Sequence, residues 1–370
     1  MTTFPAGILA RPLRLPRRAD DPDGANLRTF AAVRNFIAEE VAGHADHAMS
    51  AEMLLPHLRD DPDEHHLMWL ILDGDMPIGR AGIDLPMEPA SRTASGYVEL
   101  RRSEWGRGIG NAMAQMLETV VLRHDRRILQ AWAEHREGPG PRLGARTGFG
   151  SVPAEDHVVR FLLRRGYTLE QIDRCSALEL DGAWARIRRL RDEARVSAAG
   201  YRVVSWFPPT PPDHVDGYAW MKSRMVTDAP SGAMDYDDET WDAARVARHD
   251  SRYLEAAQTL HVTAAQHTRT GELCAFNELV VGPGGTGATF QEDTLVLAEH
   301  RGHRLGMLVK CEGLLSWRRI APASPRVITY NAEENRPMLD INEAIGFVAI
   351  SYEGAWQKRL APPDGALPIS

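Results

Sequence analysis

The chain has 370 residues, a length that suits two cores of ordinary size better than one. Hydrophobic residues make up 43% and charged residues 25%, which excludes a disordered or collagen-like chain. A formal net charge of -8 excludes a global basic field for nucleic acid, so any phosphate-bearing ligand must be held by a local site. Cys175, Cys274 and Cys311 stand far apart, follow no metal-ligand spacing, and read as reduced thiols of a cytoplasmic protein. The stretch from Met1 to Pro16 is interrupted by Pro5, Arg11, Pro12 and Arg14, and no run of ~18 apolar residues occurs. The expectation is a protein that neither leaves the cell nor enters a membrane.

In chain order, a strand is expected around Ile8–Leu15. Helices follow over Leu27–Val41, with Phe30, Val33, Phe36 and Ile37 on one face, and over Met49–Leu58. Leu67–Leu72 and Pro77–Leu85 read as a hairpin turning at Asp73-Gly74-Asp75. Tyr97–Arg101 is a strand that runs straight into Trp105-Gly106-Arg107-Gly108-Ile109-Gly110, after which Met113, Met116, Leu117, Val120 and Val121 repeat at helical spacing. Ile128–Ala133 is a strand and Val158–Leu163 a helix stopped by Gly166. The charged stretch Trp184–Arg195 reads as a connector helix.

The second half repeats this order. A strand at Tyr201–Trp206 precedes helices over Val215–Met225 and Thr240–Gln258, and strands at Leu260–Gln266 and Leu273–Val281 turn at Thr270-Gly271. Thr289–Leu297 leads into His300-Arg301-Gly302-His303-Arg304-Leu305-Gly306 and an amphipathic helix; Val327–Tyr330 is a strand and Asn335–Ile345 a helix ending at Gly346-Phe347. Gly110 and Gly306 are 196 residues apart, Gly166 and Gly346 180 apart. The 16 extra residues of the first half fit a Gly- and Pro-rich loop over Glu137–Pro153. The implied boundaries are a first domain over 1–182, a linker helix over 183–200 and a second domain over 201–370.

A strand that enters a glycine-rich turn and then a helix is a device for anions. The first helical amides have no intrahelical partner, the helix dipole is positive there, and glycines let backbone approach a pyrophosphate. A dinucleotide fingerprint requires G-x-G-x-x-G and an acid ~20 residues on, and position 130 is Gln; the Lys-Ser/Thr of a P-loop is absent. For a single turn, glycines that merely permit the chain reversal are the competing reading. Two such turns at matched places in a repeat favour the anion.

Arg101–Gly110 and Leu295–Gly306 resemble the acyl-CoA pyrophosphate motif of the GNAT superfamily of N-acyltransferases, and Asn331–Phe347 resembles its last core helix. Thr227–Pro230 with Glu272–Val281 is similar to a tandem arrangement of actinobacterial type. The resemblance implies an α/β (α+β) protein with two tandem GNAT folds, each a mixed twisted sheet flanked by helices. It implies acetyl-CoA as co-substrate, held by Leu295, Val296, Leu297, Arg301, Gly302, His303, Arg304, Leu305, Gly306 and Asn335, and in the first half by Arg107, Gly108, Ile109 and Gly110. Both halves depart from the motif: Trp105 stands where Gln or Arg is usual, and Arg304 where the first glycine is usual. An arginine there either reaches a phosphate oxygen or points to solvent. The second domain is the better match.

In such enzymes an amine attacks the thioester directly, in a V-shaped gap between the fourth and fifth strands. A carboxylate serves as base, and a tyrosine four residues before the helix-ending glycine often serves as acid. Those two positions are Leu162 and Asn342, neither an acid. Base candidates are Glu278, Glu292 and Asp293, with Glu278 favoured and Asp293 second; strand alternation puts Glu292 and Asp293 on opposite faces. Asn331 and Asn342 complete the candidate catalytic set. Tyr330 beside Asn331 points the other way, and in the first half only Glu99 is placed to act. The acidic run Met234–Glu239 reads as a helix start or as a collar for a cationic amine. The 14 histidines read as surface residues, and no metal is expected. The resulting expectation is transfer of an acetyl group to a primary amine of a small molecule, with neither nucleic acid nor membrane as partner. A monomer and a homodimer are both compatible with it. The alternative is a non-catalytic protein that keeps the fold for acyl-CoA sensing or partner binding.

Overall fold

A computed structural model describes residues 3–228, 230–237 and 239–361. Two compact units divide the chain, and they are not two consecutive halves. One comprises the chain to Ile172, Gly232–Asp237 and the chain from Glu353; the other comprises Asp173–Ser231 and Asp238–Tyr352.

The first unit contains β1 (Ile8–Pro12), α1 (Ala25–Ala42), α2 (Ala51–His57), β2 (Glu64–Asp73), β3 (Met76–Pro86) and β4 (Thr93–Leu100). These are followed by α3 (Ile109–Arg123), β5 (Ile128–His135), β6 (Arg142–Gly144), β7 (Ser151–Pro153), α4 (His157–Arg164) and the start of β8 (Thr168–Glu179). Its sheet runs in the order β1-β2-β3-β4-β5, antiparallel except for the parallel pair β4-β5. Asp73 and Asp75 flank Gly74, whose φ of 56° closes the β2-β3 hairpin as the turn signal requires. Leu27 and Phe30 of α1 are buried beside Leu54 and Leu70. The stretch expected as a plain loop over Glu137–Pro153 contains the short β6-β7 ladder, because Leu143 and Val152 pair across it.

The second unit contains the end of β8, α5 (Trp184–Ser197), β9 (Tyr201–Trp206), α6 (Pro212–Ser223), α7 (Met225–Asp228), α8 (Ala243–Glu255), β10 (Thr259–His267) and β11 (Leu273–Val281). Then come β12 (Thr289–Val296), α9 (Leu305–Ile320), β13 (Arg326–Ala332), α10 (Arg336–Ile345) and the start of β14 (Val348–Arg359). The sheet order is β9-β10-β11-β12-β13-β8. Its long helix α9 lies in a core of Leu279, Leu308, Leu314 and Trp317, which α5 joins through Ile187, Leu190 and Ala194. The arginines of α5 hide a stripe at i, i+3 and i+7, so the segment read as a connector is a core helix.

β8 and β14 each pass from one unit to the other. Residues 353–359 of β14 follow β5 in the first unit, where Gln130 Nε2 donates to Gln357 Oε1 at 3.1 Å. Residues 173–179 of β8 pair antiparallel with β13 in the second.

Two further expectations are corrected. Helix α8 begins at Ala243, capped by Asp242, so the acidic run before it is not the helix start. Asp237 accepts hydrogen bonds from Ser91 Oγ (2.6 Å) and Thr93 Oγ1 (2.7 Å), and Asp235 accepts from Arg359, all within the first unit. Asp238 of that run, like Ala229 of the Thr227–Pro230 stretch and the tail from residue 362, lies outside the described residues. Nor are all histidines superficial. His66 is held by Asp84 at 2.7 Å, His135 by Asp156 at 3.1 Å, and His261 is buried.

Candidate functional site

In both units the parallel strands pair only briefly. β4 meets β5 over Thr93–Ser95, and β12 meets β13 over Thr289–Phe290 alone. Beyond those pairs the strands part. In the second unit the opening begins at Gln291 and Thr329, where Gln291 Nε2 donates to Thr329 Oγ1 at 3.1 Å.

The helix that follows each gap starts without a side-chain cap, whereas Ser50, Asp156, Asp242 and Asn335 cap α2, α4, α8 and α10. Before α9, Gly302 has φ 88°, and a Cβ there would meet nothing within 4 Å. Arg304 takes the left-handed position (φ 55°) that Gly108 holds before α3 (φ 82°), so the departure from the motif leaves the turn intact at the cost of strain. Its side chain lies 3.7 Å from Glu193 rather than over the turn. Arg301 donates to the Val296 carbonyl (3.3 Å) and to that of Asp228 (3.1 Å), and His303 packs against Tyr201. Leu295 and Leu297 are buried, Leu305 seats the first helical turn in the core, and Gly306 lets Ile341 approach. The uncapped amides of α9 and the open face of Gly302 fit a pyrophosphate. Asn335 is engaged as a helix cap to Met338.

On the other edge of β12, its ladder with β11 carries a β-bulge. Asn277 pairs with Thr294 and Leu279 with Gln291, so the single residue Glu278 faces both Glu292 and Asp293. The bulge interrupts the alternation expected for β12, and Glu292, Asp293, Glu278 and Lys222 act on one another's charge. Glu278 is 1% exposed and accepts hydrogen bonds from the Tyr218 hydroxyl and from Lys222 at 3.3 Å. Lys222 also donates to Asp293 at 2.5 Å. Burial works against the lysine's charge, but Asp293 and Glu278 hold its pKa above the ordinary range. Burial and the Glu278 carboxylate push the Tyr218 hydroxyl well up. Glu278 thus sits behind the gap, committed to two partners. Glu292 is exposed to solvent on one side of β12 and crowded by protein on the other. That enclosure, followed by the negative charges of Asp293 and Glu278, raises its pKa from 4.5 to about 7.

Across the gap, Asn342 of α10 is buried and donates from Nδ2 to Asn331 Oδ1 at 2.6 Å. Tyr330 packs with Ile328 and Phe290 in a separate cluster. Lys310, which no motif singled out, donates to Asn342 Oδ1 at 2.9 Å.

The first unit lacks this equipment. The register of β3 with β4 is unbroken, and the positions 196 residues before Glu278, Glu292 and Asp293 are Gly82, Gly96 and Tyr97. Glu99 forms a bidentate ion pair with Arg80. Trp105 stacks on His157 (ring centroids 4.2 Å apart) and donates to the Leu100 carbonyl, while Arg107 is paired with Asp73 and Glu104. Ile109 is buried, and Gly110 lies against Phe161.

No family model and no curated protein sequence matches the chain. Solved structures do. A tandem GNAT protein from the clavulanic acid biosynthesis pathway aligns over 96% of this chain and 100% of its own, with TM-score 0.72 and 21% identity. A GCN5-related N-acetyltransferase from Sphaerobacter thermophilus aligns over 97% and 98%, with TM-score 0.59 and 16% identity. At these identities the likeness is one of fold, and it spans both units. The chain has two tandem folds of the GCN5-related N-acetyltransferase (GNAT) kind.

Proposed function

We propose that this protein is an acyl-CoA-dependent N-acyltransferase whose second unit transfers an acetyl group from acetyl-CoA to a primary amine of a small molecule. The observation that carries the reading is Glu292. It is exposed on β12 and its carboxyl is raised to about 7, so near neutral pH it can take a proton. Glu278, Glu292 and Asp293 gather around Lys222, and an acidic cluster of this kind suits an ammonium substrate. Glu278, the base favoured on sequence, serves in this reading to hold Lys222 and Tyr218 in place. Asp293 has the same task.

The amine nitrogen, deprotonated by Glu292, attacks the thioester carbonyl carbon. The nitrogen then gives up its remaining extra proton to water, the C–S bond breaks and its electron pair leaves with sulfur. The turn at Gly302–Gly306 anchors the pyrophosphate, and Asn331, held by the buried Asn342, borders the sulfur.

Release of free CoA from acetyl-CoA in the presence of a panel of small amines is the test. The expected result is turnover whose rate rises with pH through about 7. Glu292→Gln should lose roughly 100-fold or more, while Tyr330→Phe should stay within about tenfold of the parent. Acetyl-CoA binding without release for any amine would favour the sensing alternative.

A further inference from the structure

Lys310 is fully buried on the core side of α9. Burial draws its pKa down to about 7, and the ionisable group acting on it is the neighbouring Cys311 thiol. Among the described residues its ammonium has one hydrogen-bond acceptor, Asn342 Oδ1 at 2.9 Å. A methionine would fill the same space without the cost of desolvating a cation.

The lysine does set a direction. Lys310 Nζ donates to Asn342 Oδ1, so the Asn342 oxygen faces the lysine and its amide nitrogen faces away. That nitrogen donates to Asn331 Oδ1 at 2.6 Å, which leaves the Asn331 amide N–H groups as the free end of the chain. Asn331 stands on β13 three residues beyond the last pair with β12, and it is only partly buried. In a chain of cation, amide and amide, each bond strengthens the next. The first unit has none of this: at the matching positions stand Ala114, Leu162 and Trp132.

We propose that Lys310 is a positioning residue for the leaving group. Through Asn342 it aims the Asn331 amide N–H at the sulfur of the CoA thioester as that sulfur becomes a thiolate. This rests on the acyltransferase reading given above. When the C–S bond breaks, the electron pair stays on sulfur, Asn331 donates a hydrogen bond to it, and water supplies the proton. None of the three residues loses one.

The test is titration of the CoA thiol bound to the full-length protein, followed by thiolate ultraviolet absorbance, for the parent, Lys310→Met, Asn331→Ala and the double variant. In Lys310→Met the bound thiol should ionise at a pH higher by about one unit. kcat should fall roughly tenfold, with the KM for acetyl-CoA unchanged. The double variant should be no worse than Asn331→Ala alone, because the lysine acts through the asparagine. If Lys310→Met does not fold, Lys310→Gln, which still donates to Asn342, carries the test and should fall between parent and Asn331→Ala. Unchanged thiol ionisation, or losses that add in the double variant, would overturn the assignment. A parent that binds CoA but never transfers would instead defeat the acyltransferase reading, and the thiol titration would still decide the role of Lys310.

Discussion

Glu292 shows how one extra residue in a strand changes chemistry. Opposite Glu278 the bulge places two acids where one would fit, and only Asp293 reaches Lys222. The Glu292 carboxyl, enclosed by protein and facing like charges, has its pKa raised from 4.5 to about 7. A group whose pKa is higher in the fold than in the unfolded chain favours the fold fully below its unfolded value. That contribution is lost as pH rises through the folded one. Glu292→Gln removes this loss together with the base. The melting temperature of the variant, relative to the parent, should therefore climb between pH 5 and pH 8 while its turnover is lost. A melting difference that is flat with pH would mean that Glu292 titrates as an ordinary surface carboxylate.

At the scale of elements, the turn before α9 ties local backbone conformation to ligand binding. Gly302 has φ 88°, and a Cβ added to it would have no neighbour within 4 Å, so only conformational strain opposes a side chain there. Gly302→Ala should cost about 1 kcal/mol of stability. Its methyl group would stand where the pyrophosphate must approach, so acetyl-CoA affinity by calorimetry should fall about tenfold. Unchanged affinity would move the phosphate site elsewhere. This turn was legible in the sequence because a strand, a positive-φ glycine and a helix start are all local signals. The hairpins at Gly74 and Gly271 were legible for the same reason. The bulge was not, since it is set by the register between β11 and β12 rather than by either strand alone. Lys310 escaped because a lone lysine in an apolar helix stripe looks like a solvated residue until Asn342, 32 residues away, is seen beside it. The connector assigned to Trp184–Arg195 failed on composition, since its arginines outnumber the few apolar residues that dock on α9.

For the whole molecule, the repeat of two halves was readable, but the way the chain is shared between units was not. The strands that change units, β8 and β14, are long and mix apolar with polar residues, and nothing in their own residues marks a crossing. The consequence is that the first unit depends on segments far away in sequence. Asp237 receives the hydroxyls of Ser91 and Thr93 at the start of β4. Gln357 of β14 accepts from Gln130 of β5, Trp356 is fully buried, and the amide of Leu360 donates to the Arg127 carbonyl. A fragment ending at the boundary read from sequence, residues 1–182, would lose all of these and leave one edge of β5 bare, which invites edge-to-edge pairing. It should therefore aggregate, or unfold without a cooperative transition, while the full chain melts cooperatively. Circular dichroism melting and size-exclusion chromatography of the two would decide. If residues 1–182 gave a monomer with a sharp transition near that of the full chain, the first unit would be complete without Gly232–Asp237 and Glu353–Arg359. If the fragment fails as expected, the unit that transfers the acyl group cannot be identified by cutting the chain. Point variants must do it: Gly108→Ala should leave CoA release nearly intact, because the first gap has Gly82 and Gly96 where the second has its carboxylates. Gly302→Ala should depress CoA release through weaker binding.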